Sequence, residues 1–117
     1  MHELSVSSAI VDTVVRHAAG RQVAAVHVRL GRLRQVVPSS LAFYFALISK
    51  ETVCENAELH QEIVPARLRC RGCSHGWEID MPHFRCPQCG AADVVVETGE
   101  ELEVESIDVE EVAQCTV

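Results

Sequence analysis

The chain has 117 residues, the size of one ordinary domain or of a small core with a module that needs extra stabilisation. Hydrophobic residues make up 48% of it, yet no apolar stretch reaches the roughly 18 residues of a membrane span, which argues against a membrane protein. The net charge is −7, and residues 90–117 hold 9 of the 17 acidic residues and no Lys or Arg, a distribution that repels phosphate and argues against a nucleic-acid binder. The chain opens Met-His-Glu, without the basic start and apolar core of a signal peptide, so we expect a cytoplasmic protein with reduced thiols.

Two helices and three strands are predicted outside the cysteine-rich region. Apolar residues from Leu4 to Ala18, Leu4 and Val15 among them, recur at helical spacing, and Pro38 with two serines starts a second helix that should end near Lys50. Alternating or apolar segments predict strands over residues 23–30, 58–66 and 102–109, the last with a change of phase after Glu105.

Residues 67–99 differ from the rest in their cysteines, turn residues and short strand-like pieces. They predict an inserted zinc-ribbon-like module, while residues 1–66 and 100–117 form the other domain. The predicted fold class is α+β, with two helices on a small sheet of about three strands.

The module carries Cys70-x-x-Cys73, 12 intervening residues, and Cys86-x-x-Cys89. Each pair can form a tight turn that points two sulfurs at one ion, so the spacing predicts a structural zinc site with four thiolate ligands. Two redox pairs or an iron centre are the alternatives. A closed site of this kind leaves no water to activate, and we find no nucleophile and base that would indicate an enzyme.

Several side chains have predicted supporting roles. Gly72 and Gly90 suit the tight backbone turns beside the sulfurs, and Trp77 and Phe84 are predicted to form the small core of the module. The remaining cysteines and histidines belong to no motif. We expect Cys54 to be a buried hydrophobic side chain and Cys115 a free thiol. Surface positions are expected for His75 and His83, either of which could in principle replace a thiolate, and structural or exposed positions for His17, His27 and His60.

The chain resembles the HypA/HybF family of nickel metallochaperones, which help to mature NiFe hydrogenases and, in some organisms, urease. The resemblance covers essentially the whole chain and rests on its opening Met1-His2-Glu3-Leu4-Ser5, on Leu30-Gly31, on the two cysteine pairs, and on Glu103-Val104-Glu105.

The resemblance implies a nickel site at Met1, His2 and Glu3, in which the terminal amine and the imidazole bind the ion as transient cargo. Nickel(II) favours nitrogen ligands and accepts a square plane, which one short terminal peptide can largely fill. The family also implies a HypB-type GTPase and the hydrogenase large-subunit precursor as partners, with urease accessory proteins as a further option. We expect the chain to bind neither nucleic acid nor a membrane. A zinc-ribbon adaptor for nucleic acid or protein is the alternative function, and the chain could be a monomer or a homodimer with exchanged modules.

Overall fold

The computed structural model describes residues 2–110, so the predicted roles of Met1 and Cys115 lie outside the described residues. The elements in chain order are α1 (Glu3–Ala18), β1 (Val23–Gly31), a 3-10 turn (Arg32–Arg34), α2 (Pro38–Ile48), β2 (Glu58–Val64), β3 (Ala66–Cys70), β4 (Gly76–Ile79), β5 (Val94–Thr98) and β6 (Leu102–Val109). They form two three-stranded sheets with the orders β2-β1-β6 and β4-β3-β5. The predicted α+β class, with two helices, a three-stranded sheet and a cysteine module, is confirmed.

The chain forms two compact units. The first takes the described parts of Met1–Val28, Val36–Glu62 and Glu103–Val117, and the second takes Arg29–Gln35 and Ile63–Leu102. The domain limits at residues 66/67 and 99/100 stay a prediction.

Helices α1 and α2 pack against each other in the first unit. Leu41 and Phe45 of α2 are buried, and the Ser7 hydroxyl of α1 donates a hydrogen bond to the Leu41 carbonyl at 3.3 Å. Leu4 and Val15 were predicted on the buried face of α1 but are 45% and 40% exposed. At about 100° per residue they lie at the edge of the stripe that faces the core. The buried positions of α1 are Val6, Ser7, Ile10, Val11, Val14 and Ala18.

The predicted strand 58–66 is two strands rather than one. β2 ends at Val64 and β3 begins at Ala66 in the other sheet, with Pro65 between them. Proline has no N–H to donate to a sheet, so it separates the two strands and marks the passage from one sheet to the next. The strand 102–109 has the predicted bounds, and its burial changes phase at Glu105 and Ser106.

The core of the second unit differs from the prediction. Leu68, at the centre of β3, is fully buried, whereas Trp77 is only half-buried and Phe84 is 42% exposed. Phe84 lies outside the strands, and Leu68 is on the middle strand of its sheet with a neighbour on each side. Leu68 on the central strand, rather than Phe84 outside the strands, therefore contributes to the apolar core of this unit.

Gly99→Ala should cost about 2–6 kcal/mol of unfolding free energy, since strain and overpacking add. Gly99 has φ +116°, and a Cβ there would lie 2.7 Å from the Ala66 Cα. Gly20→Ala is the matched control, because Gly20 also has a positive φ (+82°) but no atom within 4 Å of the added Cβ. Urea unfolding of both variants gives the two losses. Equal losses would show that the close approach to Ala66 does not matter.

Candidate metal centres

Four cysteine thiols come together in the second unit. The sulfurs of Cys70, Cys73, Cys86 and Cys89 all lie within 4.8 Å of one another, and no second group of three or more possible ligands is gathered so closely within residues 2–110. The Cys70–Cys89 pair is 3.6 Å apart and the Cys73–Cys86 pair 3.5 Å apart. A disulfide needs about 2.05 Å between sulfurs. Tetrahedral zinc, with zinc–sulfur bonds of about 2.3 Å, places its sulfurs about 3.8 Å apart. The residues present therefore fit a four-thiolate zinc site.

The two cysteine pairs sit on turns with the same backbone hydrogen bonds. In the first turn, the Ser74 N–H donates to the Cys70 carbonyl at 2.9 Å, and the Cys70 N–H donates to the His75 carbonyl at 2.8 Å. The second turn repeats both bonds, at 2.8 and 2.9 Å, with Cys86, Gly90 and Ala91. The match explains why two sulfurs of each turn face one point.

Both turns need a residue with a positive φ, directly after the second cysteine. Gly90 has φ +75°, as predicted, but the equivalent residue of the first turn is Ser74, with φ 64°. Gly72, which was predicted there, is not among the residues with positive φ. Alignment of the two Cys-x-x-Cys pairs would have revealed Ser74, because it stands opposite Gly90.

An arginine precedes each turn and was not predicted to take part in it. Arg69 donates to the Ser74 carbonyl at 3.2 Å, and Arg85 donates to the Gly90 carbonyl at 3.1 Å. In both cases the guanidinium binds the carbonyl of the positive-φ residue. The shared Arg-Cys-x-x-Cys pattern is the sequence signal that identifies these two residues.

Hydrogen bonds to the sulfurs give the thiols of the cluster different pKa values. Burial raises the pKa of Cys86, but the backbone N–H groups of Cys89 and Gln88, with the neighbouring thiols, lower it to about 7. The His75 N–H lowers the pKa of Cys73, yet burial and the surrounding thiols outweigh it and raise that pKa to about 12. The sulfurs thus cannot all ionise at neutral pH unless a cation balances their charge, which is what a coordinated metal ion does.

The histidines near the cluster are not part of it. The close group of ligand atoms contains the four cysteines and neither His75 nor His83. The His75 ring instead stacks on Trp77, with centroids 5.7 Å apart and planes 11° from parallel. This stacking accounts for the position of the His75 ring outside the group of four sulfurs.

Two of the predicted nickel ligands, His2 and Glu3, lie at the start of α1. His2 is exposed, has extended backbone dihedrals and makes no side-chain capping bond, and Glu3 is the first helical residue. The first helical hydrogen bond runs from the Val6 N–H to the His2 carbonyl at 3.1 Å. Amides ahead of that bond have no acceptor within the helix. The imidazole of His2 and the amide nitrogens beside it are therefore not engaged by helix formation.

Two further histidines meet on the sheet β2-β1-β6, although neither belongs to a sequence motif. The rings of His27 and His60 are stacked, with centroids 4.9 Å apart. Asp108 accepts a bond from the Nε2 of His27, and Glu58 accepts one from the Nε2 of His60. The sequence could not show this pair, because the register between β1 and β2 depends on the fold.

Among the described residues, neither helix has the length and apolar character that a membrane span requires.

A family model described as hydrogenase/urease nickel incorporation, metallochaperone, hypA, matches residues 1–109. The chain is 45% identical over 112 residues to the hydrogenase maturation factor HypA of Streptomyces avermitilis, covering 92% of this chain and 86% of that protein. It is 37% identical over 115 residues to the factor of the same name from Desulfosudis oleivorans, covering 95% and 100%.

The fold is similar to that of the nickel metallochaperone HypA from Helicobacter pylori, solved in solution. The TM-score is 0.67 at 25% identity, and the match covers 93% of this chain and 97% of the other.

Proposed function

Because the chain belongs to the HypA family of hydrogenase and urease nickel-incorporation metallochaperones, we propose that it binds Ni(II) at its N-terminus and delivers the ion during maturation of NiFe hydrogenase. The observation that supports this most directly is His2, which is exposed at the start of α1 with no capping role. Met1 would supply the terminal amine and Glu3 a nearby amide nitrogen and carboxylate. Nickel is the cargo of this site and leaves it.

The position at a helix start favours release as well as binding. The N-terminus of a helix carries about half a positive charge, which opposes a divalent cation by roughly 0.3–1 kcal/mol. Amide nitrogens that lose their protons on binding Ni(II) would offset this charge, and protonation would restore it. A carrier needs such a site, because nickel must pass to the next protein by ligand exchange.

The cysteine cluster would have the opposite role. Zinc bound by Cys70, Cys73, Cys86 and Cys89 would have four sulfur ligands and no open position, so it would stabilise the second unit rather than carry out chemistry. We propose this zinc as the resident metal of the protein.

The alternative of a nucleic-acid adaptor is disfavoured by the arginines of the second unit. Arg67 contacts Glu78 at 3.1 Å and Arg69 contacts Glu97 at 3.0 Å, across β4 and β5. The next arginine, Arg71, lies 3.7 Å from Asp93. Neighbouring carboxylates thus neutralise these three arginines and reduce the positive charge that could bind phosphate.

The chain would work with the other hydrogenase maturation proteins. We propose a HypB-type nickel GTPase and the hydrogenase large-subunit precursor as partners, and urease accessory proteins where urease is the client. This rests on the family, which serves nickel incorporation in both enzymes.

Metal analysis of the untagged, full-length protein tests the proposed function. We expect one zinc that survives dialysis against a moderate chelator, and one added nickel that the same dialysis removes. Nickel occupancy should fall as the pH is lowered from about 8 to about 6, because protons compete for the imidazole and amine nitrogens. Nickel that resists the chelator as zinc does, or fails to bind, would contradict the role of carrier.

A further inference from the structure

The outer face of the sheet β2-β1-β6 brings together two histidines from neighbouring strands. His27 on β1 and His60 on β2 stack with ring centroids 4.9 Å apart and planes 12° from parallel. His60 is exposed and His27 half-buried, so solvent reaches both rings. Two imidazoles side by side on a sheet face are a donor set that divalent transition metals prefer.

Each imidazole also has a carboxylate within hydrogen-bond distance. The His27 Nε2 lies 2.9 Å from the Asp108 Oδ2, and the His60 Nε2 lies 3.1 Å from the Glu58 Oε2. Two ligands at right angles, each about 2.1 Å from a metal ion, are about 3.0 Å apart. Each carboxylate is therefore close enough to its histidine to share an ion with it, but the ring must rotate first, because the nitrogen now points at the oxygen.

The surroundings carry negative charge. A depression of about 670 Å³ is lined in part by His60, Glu58 and Asp108, and a smaller one of about 260 Å³ by His27, His60, Glu62 and Glu105. No Lys or Arg is among the described residues that line either depression. Such a surface raises the local concentration of cations. The pairing of β1 with β2 sets the two histidine–carboxylate pairs side by side.

We propose that His27, His60, Glu58 and Asp108 form a second, weaker site for a divalent transition-metal ion. An ionised carboxylate only accepts, so each Nε2 now carries the proton of its hydrogen bond. On metal binding that proton moves through solvent to Nδ1 in a neutral ring, or is released from a protonated ring, and the Nε2 lone pair binds the ion. The four donors are not gathered as closely as the cysteine sulfurs, so binding requires ring rotation and is weak.

This site does not depend on the terminal nickel site. His2 belongs to α1, whereas the four proposed ligands are on strands of the sheet. Loss of one site should leave the other, and the two proposals can fail separately.

The test uses the full-length, zinc-loaded protein carrying His2→Ala, titrated with Ni(II) by calorimetry. We expect one residual weak site, with affinity that falls at least about tenfold on adding His60→Ala and several-fold on adding Glu58→Gln. His17→Ala is the matched control, because His17 is an exposed histidine on α1 whose Nδ1 bonds the Thr13 carbonyl, and it should change nothing.

A second measurement keeps the proposal testable if His60→Ala perturbs the sheet. In the His2→Ala protein, Ni(II) should shift or broaden the imidazole NMR signals of His27 and His60 and leave those of His17 unchanged. The proposal is overturned if the His2→Ala protein binds no nickel, or if the bound nickel affects His17 as strongly as the stacked pair.

Discussion

Replacing Cys86 with serine is expected to release the proposed structural zinc and unfold the sheet β4-β3-β5. Cys86 is 2% exposed and belongs to one of the closest sulfur pairs, so its loss opens the cluster. Binding of structural zinc supplies about 10–16 kcal/mol in small zinc peptides. A unit of this size, whose fully buried apolar residues are few, has no equal source of stability. Zinc content by mass spectrometry and amide exchange at Leu68 give the two readouts.

Cys54→Ala is the matched control for that variant. Cys54 is fully buried in the first unit, and burial raises the pKa of its thiol, so the thiol is unreactive. Cys54 is not one of the four clustered cysteines. Its removal should cost about 1–2 kcal/mol through a small cavity and leave zinc content unchanged. If Cys86→Ser lost its zinc while Leu68 stayed protected from exchange, the proposed structural role of zinc would be wrong.

Elements with a strong local signal could be read from the sequence. The 16 residues of α1 follow from a helical apolar period, and β6 follows from alternation on a half-buried strand. The cysteine cluster follows from spacing, because a Cys-x-x-Cys turn brings its own two sulfurs together.

Features that depend on distant residues could not be read in this way. Leu68 replaces Phe84 in the core because β3 lies between β4 and β5, and strand order is set by the whole chain. Stacking of His27 on His60 likewise depends on the pairing of strands far apart in sequence. Pro65 is the local signal that divides residues 58–66 into two strands, because proline has no N–H to donate to a sheet.

His2→Ala is expected to lower the affinity of the strongest nickel site by about 100-fold, or roughly 2.7 kcal/mol, and to leave zinc bound. The side chain of His2 is exposed and has no capping bond, so its loss should not weaken α1. A Gly-Ser extension before Met1 should reduce affinity similarly, because it moves the free amine away from the imidazole. Nickel titration of the three zinc-loaded proteins measures both effects.

Two comparisons decide whether the terminus itself is the site. His17→Ala removes another exposed histidine of α1 and should leave the strongest nickel affinity unchanged, which separates His2 from a general loss of imidazole. The extended protein retains every side chain, so any loss of affinity in it must come from the amine. If the extension has no effect while His2→Ala does, nickel binds through the His2 side chain with other partners, and the proposed amine ligand is wrong. If neither change matters, the nickel site lies elsewhere in the chain, and the stacked pair His27 and His60 becomes the first place to search.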